Sequence, residues 1–328
     1  MPTSRSIISP ERLGALAGAL PWIVALAILG YAFVAGGYLV TVMSFALIYA
    51  VFVIGLNLFM GYAGQVTFGH NAFAALGGYT SAVLTSTAYG WPPIGAFAAG
   101  MALALAVALV IGYPTLRLKG HYLAMATLAI GLIAYEIAVQ WQAVTGGYMG
   151  ISGIPPIGIG GFDILSDRGQ LAFLAIVVAL ATWSAIRLRG SRFGRALAAI
   201  AGSEDAARAL GIDVARYKLV AFLVSAAYAS LAGTLFVHVV GFVSPEVFGL
   251  HMVVLAFTML YVGGIGTAAG PFVGAVIVSL LPETFRALKD YQDLAYGAGL
   301  ILLLIFAPKG LAALGELIPR RKVGSKAP

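Results

Sequence analysis

Four polar side chains occur within seven residues of an otherwise apolar stretch, Gly61-Tyr-Ala-Gly-Gln-Val-Thr-Phe-Gly-His-Asn-Ala-Phe73. Their amide, hydroxyl and imidazole groups can exchange hydrogen bonds with a small solute. Glycines interrupt the apolar run, and broken backbone at membrane depth is tolerated only beside a cavity or inside protein. Close helix packing is the other interpretation, but the crowded polar groups favour a solute pathway. The predicted pathway residues are Gly64, Gln65, Thr67, Gly69, His70, Asn71 and Phe73.

A second glycine break runs from Gly263 to Gly274. It shares a Gly-x-x-Thr pattern with the stretch from Gly61 to Phe73, which we call the first glycine break, and both precede a short apolar run. Here the glycines are spaced by four, which is typical of a small-residue stripe that lets two helices approach closely. Packing is therefore favoured over solute contact for Gly266, Gly270 and Gly274.

The region from 187 to 218, the charged segment, carries seven basic and three acidic side chains. It cannot lie in hydrocarbon, and its Lys and Arg content predicts a cytoplasmic position. Glycines after runs of good helix formers predict two short helices. Ser203 can cap the second one, about seven residues and about 10 Å long, with Glu204 and Asp205 in its first turn. Such a helix fits a groove on a partner, although a solvated connector has the same pattern.

The elements that position these regions must be membrane helices. The chain has 328 residues, 61% of them hydrophobic and 9% charged, and it has no charged residue between Arg12 and Arg117. We predict one all-α polytopic domain, residues 1–328, in contact with a lipid bilayer. The net charge of +7 lies in loops and at the tail, which argues against nucleic acid. Ten crossings are expected at 14–35, 39–60, 71–88, 94–113, 121–140, 170–187, 218–240, 250–265, 271–287 and 292–308. The alternative for the short segments at 71–88 and 271–287 is a re-entrant path, which gives eight crossings.

The distribution of Lys and Arg residues also predicts how the chain is oriented in the membrane. With both termini cytoplasmic, 16 of the 19 Lys and Arg residues lie inside, including a basic tail at 309–328. The apolar run from 13 to 35 is too long for a signal peptide and is interpreted as a retained helix. The Gly- and Pro-rich loop at 141–170 then lies outside. It predicts either a lid or partner contact, or a simple cap over helix ends.

Several kinds of chemistry have no sequence signature. There is no Gly-x-x-x-x-Gly-Lys-Ser/Thr motif for ATP phosphates, no metal-ligand spacing and no cysteine. Few ionisable groups are placed to couple a proton or sodium ion. We therefore expect no enzyme activity and no cofactor in this chain, with energy supplied through the charged segment. The competing hypothesis is a stand-alone channel or secondary carrier for a small neutral solute.

Five blocks of sequence, in order, resemble the M-type permease subunit of branched-chain amino acid ABC importers, and the resemblance covers about 39–312. The blocks are Gly55–Thr80, Leu116–Gly131, Thr145–Pro155, Gly194–Phe222 and Phe306–Leu311. Within the fourth block, DAARALG (Asp205–Gly211) resembles the family's Glu-Ala-Ala-x-x-x-Gly signature, with Asp in place of Glu.

The resemblance implies an importer in a bacterial inner membrane. Its expected partners are a second permease subunit, two cytoplasmic ATPases that use the ATP, and a periplasmic substrate-binding protein. The implied substrates are branched-chain or other neutral amino acids, with urea or short amides as alternatives. The residues expected to couple to an ATPase are Arg195, Glu204, Asp205, Ala206, Ala207, Arg208 and Gly211.

Overall fold

Helices dominate the structure. The computed structural model describes residues 37–86, 89–159, 162–164 and 166–284, with single positions and short runs inside 23–34 and 291–311. The helices are α1 (Tyr38–Asn57), α2 (His70–Thr85), α3 (Pro93–Thr115), α4 (His121–Gln140), α5 (Gln142–Thr145), α6 (Asp167–Gly190), α7 (Arg192–Gly202), α8 (Glu204–Ala209), α9 (Val214–Val240), α10 (Leu250–Gly263) and α11 (Gly270–Thr284). A π-helical turn, Leu58–Tyr62, continues α1, and 3-10 turns cover Gly147–Met149 and Pro245–Phe248. The predicted all-α class is confirmed.

Five helices are long and apolar enough to cross a membrane: α1 with its π-helical turn, α3, α4, α6 and α9. Their mean hydropathy lies between 1.8 and 2.5. The apolar helices α10 and α11 are shorter, with 14 and 15 residues. The chain is therefore a multi-pass membrane protein. The predicted crossings at 14–35 and 292–308 fall mostly outside the described residues, so the count of ten stays a prediction.

Helix α9 begins before the apolar run that predicted it. The run starts at 218, whereas the helix starts at Val214. The Asp213 carboxylate accepts a hydrogen bond from the backbone N–H of Arg216 at 3.1 Å, and this cap stabilises a polar first turn. Lys218 consequently lies inside α9, and the connection between α6 and α9 runs over 191–213.

Helix α9 also packs against α1, α2 and α3. A Cβ at Gly233 of α9 would collide with the Ala74 carbonyl of α2, and one at Gly77 would collide with Ser230. On the other side of α2, a Cβ at Gly100 would lie 2.9 Å from the Gly77 carbonyl oxygen. Small residues therefore hold α2 tightly between α3 and α9. This packing fixes the position of the first glycine break, which leads into α2.

The predicted outer loop is attached to the end of α9. It contains β1 (Ile151–Ser152), β2 (Gly158–Ile159) and β3 (Phe162–Asp163), and β2 pairs with β3. Strand β1 pairs with β4 (Phe242–Val243), which follows α9. His238 of α9 donates from Nδ1 to the carbonyl of Pro155 (2.7 Å) and accepts through Nε2 from the Ser81 hydroxyl (2.7 Å). These contacts fit the interpretation of the loop as a cap over helix ends.

Candidate functional site

The charged segment forms two short helices, α7 and α8, as predicted. The Ser203 hydroxyl caps α8 by accepting from the backbone N–H of Ala206 at 3.2 Å. Glu204 and Asp205 occupy the first turn. Gly211 follows the helix with a φ of +81°, a conformation that favours glycine. The helix has six residues, close to the predicted seven. We call α8 the surface helix.

The predicted coupling residues differ in exposure. Asp205 is 81% exposed at its side chain and pairs with Arg208 at 2.9 Å and with Lys119 at 3.8 Å. Ala207 is buried, whereas Ala206 is exposed. Arg195 lies on α7 and donates to the Gly190 carbonyl at 3.1 Å, so it caps the end of α6. One face of the surface helix is therefore available to a partner, and the other is packed against the protein.

Glu204 lies on the packed face. Its side chain is 16% exposed, and Oε1 accepts hydrogen bonds from Lys218 Nζ at 2.9 Å and from Gln65 Nε2 at 3.1 Å. Lys218 is 2% exposed and Gln65 is 8% exposed. Gln65, which is predicted to line the solute pathway, therefore contacts Glu204, which is predicted to couple to an ATPase.

The first glycine break passes against two helices. Gly64 has a φ of +67°, and a Cβ there would lie 3.1 Å from the Cα and Cβ of Ala201 in α7. Farther along, the backbone N–H of Phe68 donates to the Thr127 hydroxyl at 3.0 Å, and a Cβ at Gly69 would collide with the Thr127 carbonyl. The non-helical part of the break, the 63–69 segment, therefore packs between α7 and α4.

His70 begins α2 inside an aromatic enclosure. The rings of Phe59, Phe73 and Phe222 have centroids 5.9, 5.8 and 5.5 Å from the imidazole centroid. His70 Nδ1 shares a hydrogen bond with the Thr67 hydroxyl at 3.1 Å. Nε2 is buried without a hydrogen-bond partner among the described residues. The ring can therefore accept or donate one more bond.

Asn71 joins α2 to two other elements. Its Nδ2 donates to the carbonyl of Phe248 at 2.8 Å and to that of Gly131 in α4 at 3.4 Å. Its Oδ1 is buried and has no hydrogen-bond partner in the described part of the chain. Asn71 and His70 thus contribute two unsatisfied polar atoms at adjacent positions.

The two glycine breaks meet at Asn57. Its Nδ2 donates to the Thr267 carbonyl at 2.9 Å, and its Oδ1 accepts from the Gly266 N–H at 2.7 Å. A Cβ at Gly61 would lie 2.6 Å from the Gly266 nitrogen. Sequence reasoning missed Asn57, although an amide in the apolar run just before Gly61 was an available signal.

The predicted glycine stripe is divided by the start of α11. Gly266 lies before the helix with a φ of +76° and contacts the first glycine break, as described above. Gly270 and Gly274 lie on α11. A Cβ at Gly274 would collide with the Met259 carbonyl of α10, and one at Gly270 would collide with the Gly264 carbonyl. Close helix contact is therefore observed at Gly274.

A cavity of about 630 Å³ lies elsewhere, between α3, α6 and α9. Its lining includes Phe97, Val177 and Leu231 and is almost entirely apolar. None of the predicted pathway residues lines it. The polar atoms around His70 and Asn71 are instead enclosed by packed helices.

Comparison with known proteins identifies the family. The family model for the permease component of branched-chain amino acid transport systems matches residues 38–307 of this chain. The high-affinity branched-chain amino acid transport system permease protein LivM of Escherichia coli (strain K12) is 34% identical over 300 residues, which cover 83% of this chain and 69% of the relative. No solved structure matches the chain.

Two further relatives are more distant. LivH of Escherichia coli (strain K12), a permease protein of the same transport system, is 27% identical over 82% of this chain and 92% of its own length. A probable branched-chain amino acid transport permease protein LivM of Methanocaldococcus jannaschii is 25% identical over 80% of this chain and 90% of its own length. The family match covers the surface helix and both glycine breaks, and it confirms the resemblance found in the sequence. The chain belongs to the family of permease components of branched-chain amino acid transport systems.

Proposed function

We propose that this chain is one permease subunit of an ABC importer in a bacterial inner membrane and forms part of the path for neutral amino acids with aliphatic side chains. A second permease subunit completes the path, a periplasmic binding protein delivers the substrate, and two cytoplasmic ATPases hydrolyse the ATP. The observation that carries the proposal is the contact of the surface helix with the first glycine break. A helix suited to bind an ATPase lies directly against the segment with the polar groups.

The proposed orientation has ten crossings and both termini in the cytoplasm. The Lys119–Asp205 ion pair of 3.8 Å supports it, since it brings the connection between α3 and α4 to the same side as the surface helix. That side then holds most of the Lys and Arg residues in the chain, as the positive-inside rule requires.

The proposed path suits a zwitterion with an aliphatic side chain. Its polar atoms are hydroxyl, amide and imidazole groups of Thr67, Asn71 and His70, and their hydrogen-bond partners in the described part of the chain are uncharged. The ends of an amino acid can be met by such groups and by freed backbone, while its side chain contacts rings such as Phe73. Closure of the ATPase dimer moves the surface helix and rocks the bundle between inward-open and outward-open states.

Reconstitution tests this function. The complete assembly in proteoliposomes, supplied with binding protein, is expected to accumulate leucine, isoleucine or valine only when ATP is present on the ATPase side. Radiolabelled urea and acetamide serve as alternative solutes. Uptake by this chain alone, without ATP, would overturn the proposal in favour of a stand-alone channel or carrier.

A further inference from the structure

Two neighbouring acidic residues of the surface helix differ strongly in exposure. Asp205 is 81% exposed, and Glu204 is 16% exposed. Successive residues on a helix are separated by about 100° around its axis, so the first turn presents one carboxylate to solvent and the other to the protein. Arg208 pairs with both carboxylates, with Asp205 at 2.9 Å and with Glu204 Oε2 at 3.8 Å, whereas the contacts with Lys218 and Gln65 are made by Glu204. The two carboxylates are therefore open to different roles.

The inward carboxylate joins three elements that are far apart in sequence. Glu204 Oε1 accepts from Lys218, 14 positions later in α9, and from Gln65, 139 positions earlier. Lys218 is 2% exposed, and among the described residues its ammonium forms an ion pair with Glu204 at 2.9 Å. A lysine is rarely buried unless it is paired, because desolvation disfavours the charge. Lys218 thus holds the Glu204 carboxylate where it also receives the Gln65 amide.

Gln65 continues this connection toward the polar groups. It lies two residues before Thr67, whose hydroxyl bonds His70. Its own backbone N–H donates to the Phe59 carbonyl at 3.2 Å, at the π-helical turn. Movement of Glu204 would therefore be passed through Gln65 to the 63–69 segment and to the start of α2.

We propose that Lys218, Glu204 and Gln65 form a mechanical link that transmits displacement of the surface helix to the 63–69 segment, with Lys218 as a positioning residue. This inference rests on the proposed function, because the displacement comes from an ATPase. The exposed face of the surface helix, with Asp205 and Arg208, contacts the ATPase. The carboxylate of Glu204 transmits the movement to the membrane helices. Buried ion pairs contribute little net stability but hold their groups in a defined geometry, which a link requires.

The experiment uses the complete assembly in proteoliposomes and measures amino acid uptake per ATP hydrolysed. Lys218→Met removes the positioning charge, and we expect the ratio to fall about tenfold, within the range of measured coupling between sites. Basal ATP hydrolysis and co-purification with the ATPases stay unchanged. The reciprocal exchange Glu204→Lys with Lys218→Glu restores the ratio to within about threefold of wild type, since the amide of Gln65 can accept from a lysine at 204.

Gln65→Leu tests the other end of the link and leaves the Lys218–Glu204 ion pair intact. It therefore still tests the link if the Lys218→Met protein fails to assemble. We expect a similar fall in uptake per ATP, with an unchanged substrate concentration at half-maximal uptake. A change in that concentration alone would assign Gln65 to substrate contact and overturn the link. A lower unfolding temperature with an unchanged uptake ratio would assign the residues a purely structural role and also overturn it.

Two variants serve as matched controls. Lys119→Met removes a basic residue that also pairs with the surface helix, but at an exposed position, and Gln170→Leu removes a glutamine that bonds the Ile164 carbonyl at 3.2 Å. Both are expected to keep the wild-type ratio. A wild-type assembly without ATP-dependent uptake rejects the proposed function. If the wild-type assembly shows ATP-dependent uptake and both Lys218→Met and Gln65→Leu keep its ratio of uptake to ATP hydrolysed, the link is rejected and the proposed function stands.

Discussion

The side chain of Asn57 donates to the backbone carbonyl of Thr267 at 2.9 Å, across 210 positions of sequence. The same amide accepts from the N–H of Gly266, so a single residue at the end of α1 replaces the backbone partners that the second glycine break lacks. Broken backbone inside a membrane protein needs such partners, because lipid supplies none. The two glycine breaks are in this way joined into one unit.

Asn57→Leu is expected to destabilise the protein. A buried polar group left without a partner costs about 1–3 kcal/mol, and this change leaves two backbone groups unpaired. The thermal unfolding midpoint of the purified protein in detergent should fall clearly. The control is Ser44→Ala in the same helix, whose hydroxyl donates to the Val40 carbonyl one turn earlier. Equal midpoints for the two variants would contradict the role given to Asn57.

Close contact between α10 and α11 leads to a second prediction. Gly274→Ala places a methyl group against the Met259 carbonyl, and overpacking of this kind costs about 1–3 kcal/mol. We expect a lower unfolding midpoint and a lower yield of folded protein. Gly190→Ala is the control, because a Cβ at Gly190, the last residue of α6, meets no atom within 4 Å. A Gly274→Ala protein as stable as Gly190→Ala would show that the two helices tolerate a wider separation.

The regions that sequence reasoning located best are those with local causes. The cap at Ser203, the glycine at 211 and the acidic first turn of the surface helix all act within a few residues, so their pattern is visible in the sequence. The apolar runs likewise predicted most spanning helices to within a few residues. The start of α9 lies earlier than the apolar run because the Asp213 cap outweighs the polarity of the residues that follow.

The contacts that assemble the site were not visible in the sequence. Lys218 looked like one more basic residue of a solvated connection, and only the fold shows that it is buried beside Glu204. Nothing in the local pattern pairs Gln65 with a residue 139 positions away. The sequence therefore predicted which segments matter, while the tertiary packing determined which side chains meet.

The left-handed backbone of Gly211 leads to a third prediction. A Cβ there meets no atom within 4 Å, so a substitution acts only through the φ of +81°. A β-branched residue in this conformation costs about 1–3 kcal/mol, which should shift the end of the surface helix. In the complete assembly, Gly211→Val is expected to lower uptake per ATP by about fivefold or more, a change within the usual range of coupling between sites.

The control for this prediction is Gly202→Val, since position 202 is helical and also has open space around a Cβ. Gly211→Asn should retain most of the uptake, because asparagine tolerates left-handed backbone better than other residues. Membrane insertion should be unchanged in all three variants. Unchanged uptake in Gly211→Val would remove this end of the surface helix from the transport cycle.

The polar groups at the start of α2 lead to the fourth prediction. Thr67→Val keeps the shape of the side chain but removes the hydroxyl that fixes one nitrogen of His70. A hydrogen bond of this kind contributes about 0.5–1.5 kcal/mol, so the substrate concentration at half-maximal uptake should change by about two- to tenfold. Assembly with the ATPases should be normal, because Thr67 is buried away from the surface helix's exposed face. Thr85→Val, at the end of α2, removes a buried hydroxyl that donates to carbonyls of its own helix, and it should leave uptake unchanged. Identical uptake kinetics for Thr67→Val and Thr85→Val would move the solute pathway away from the first glycine break.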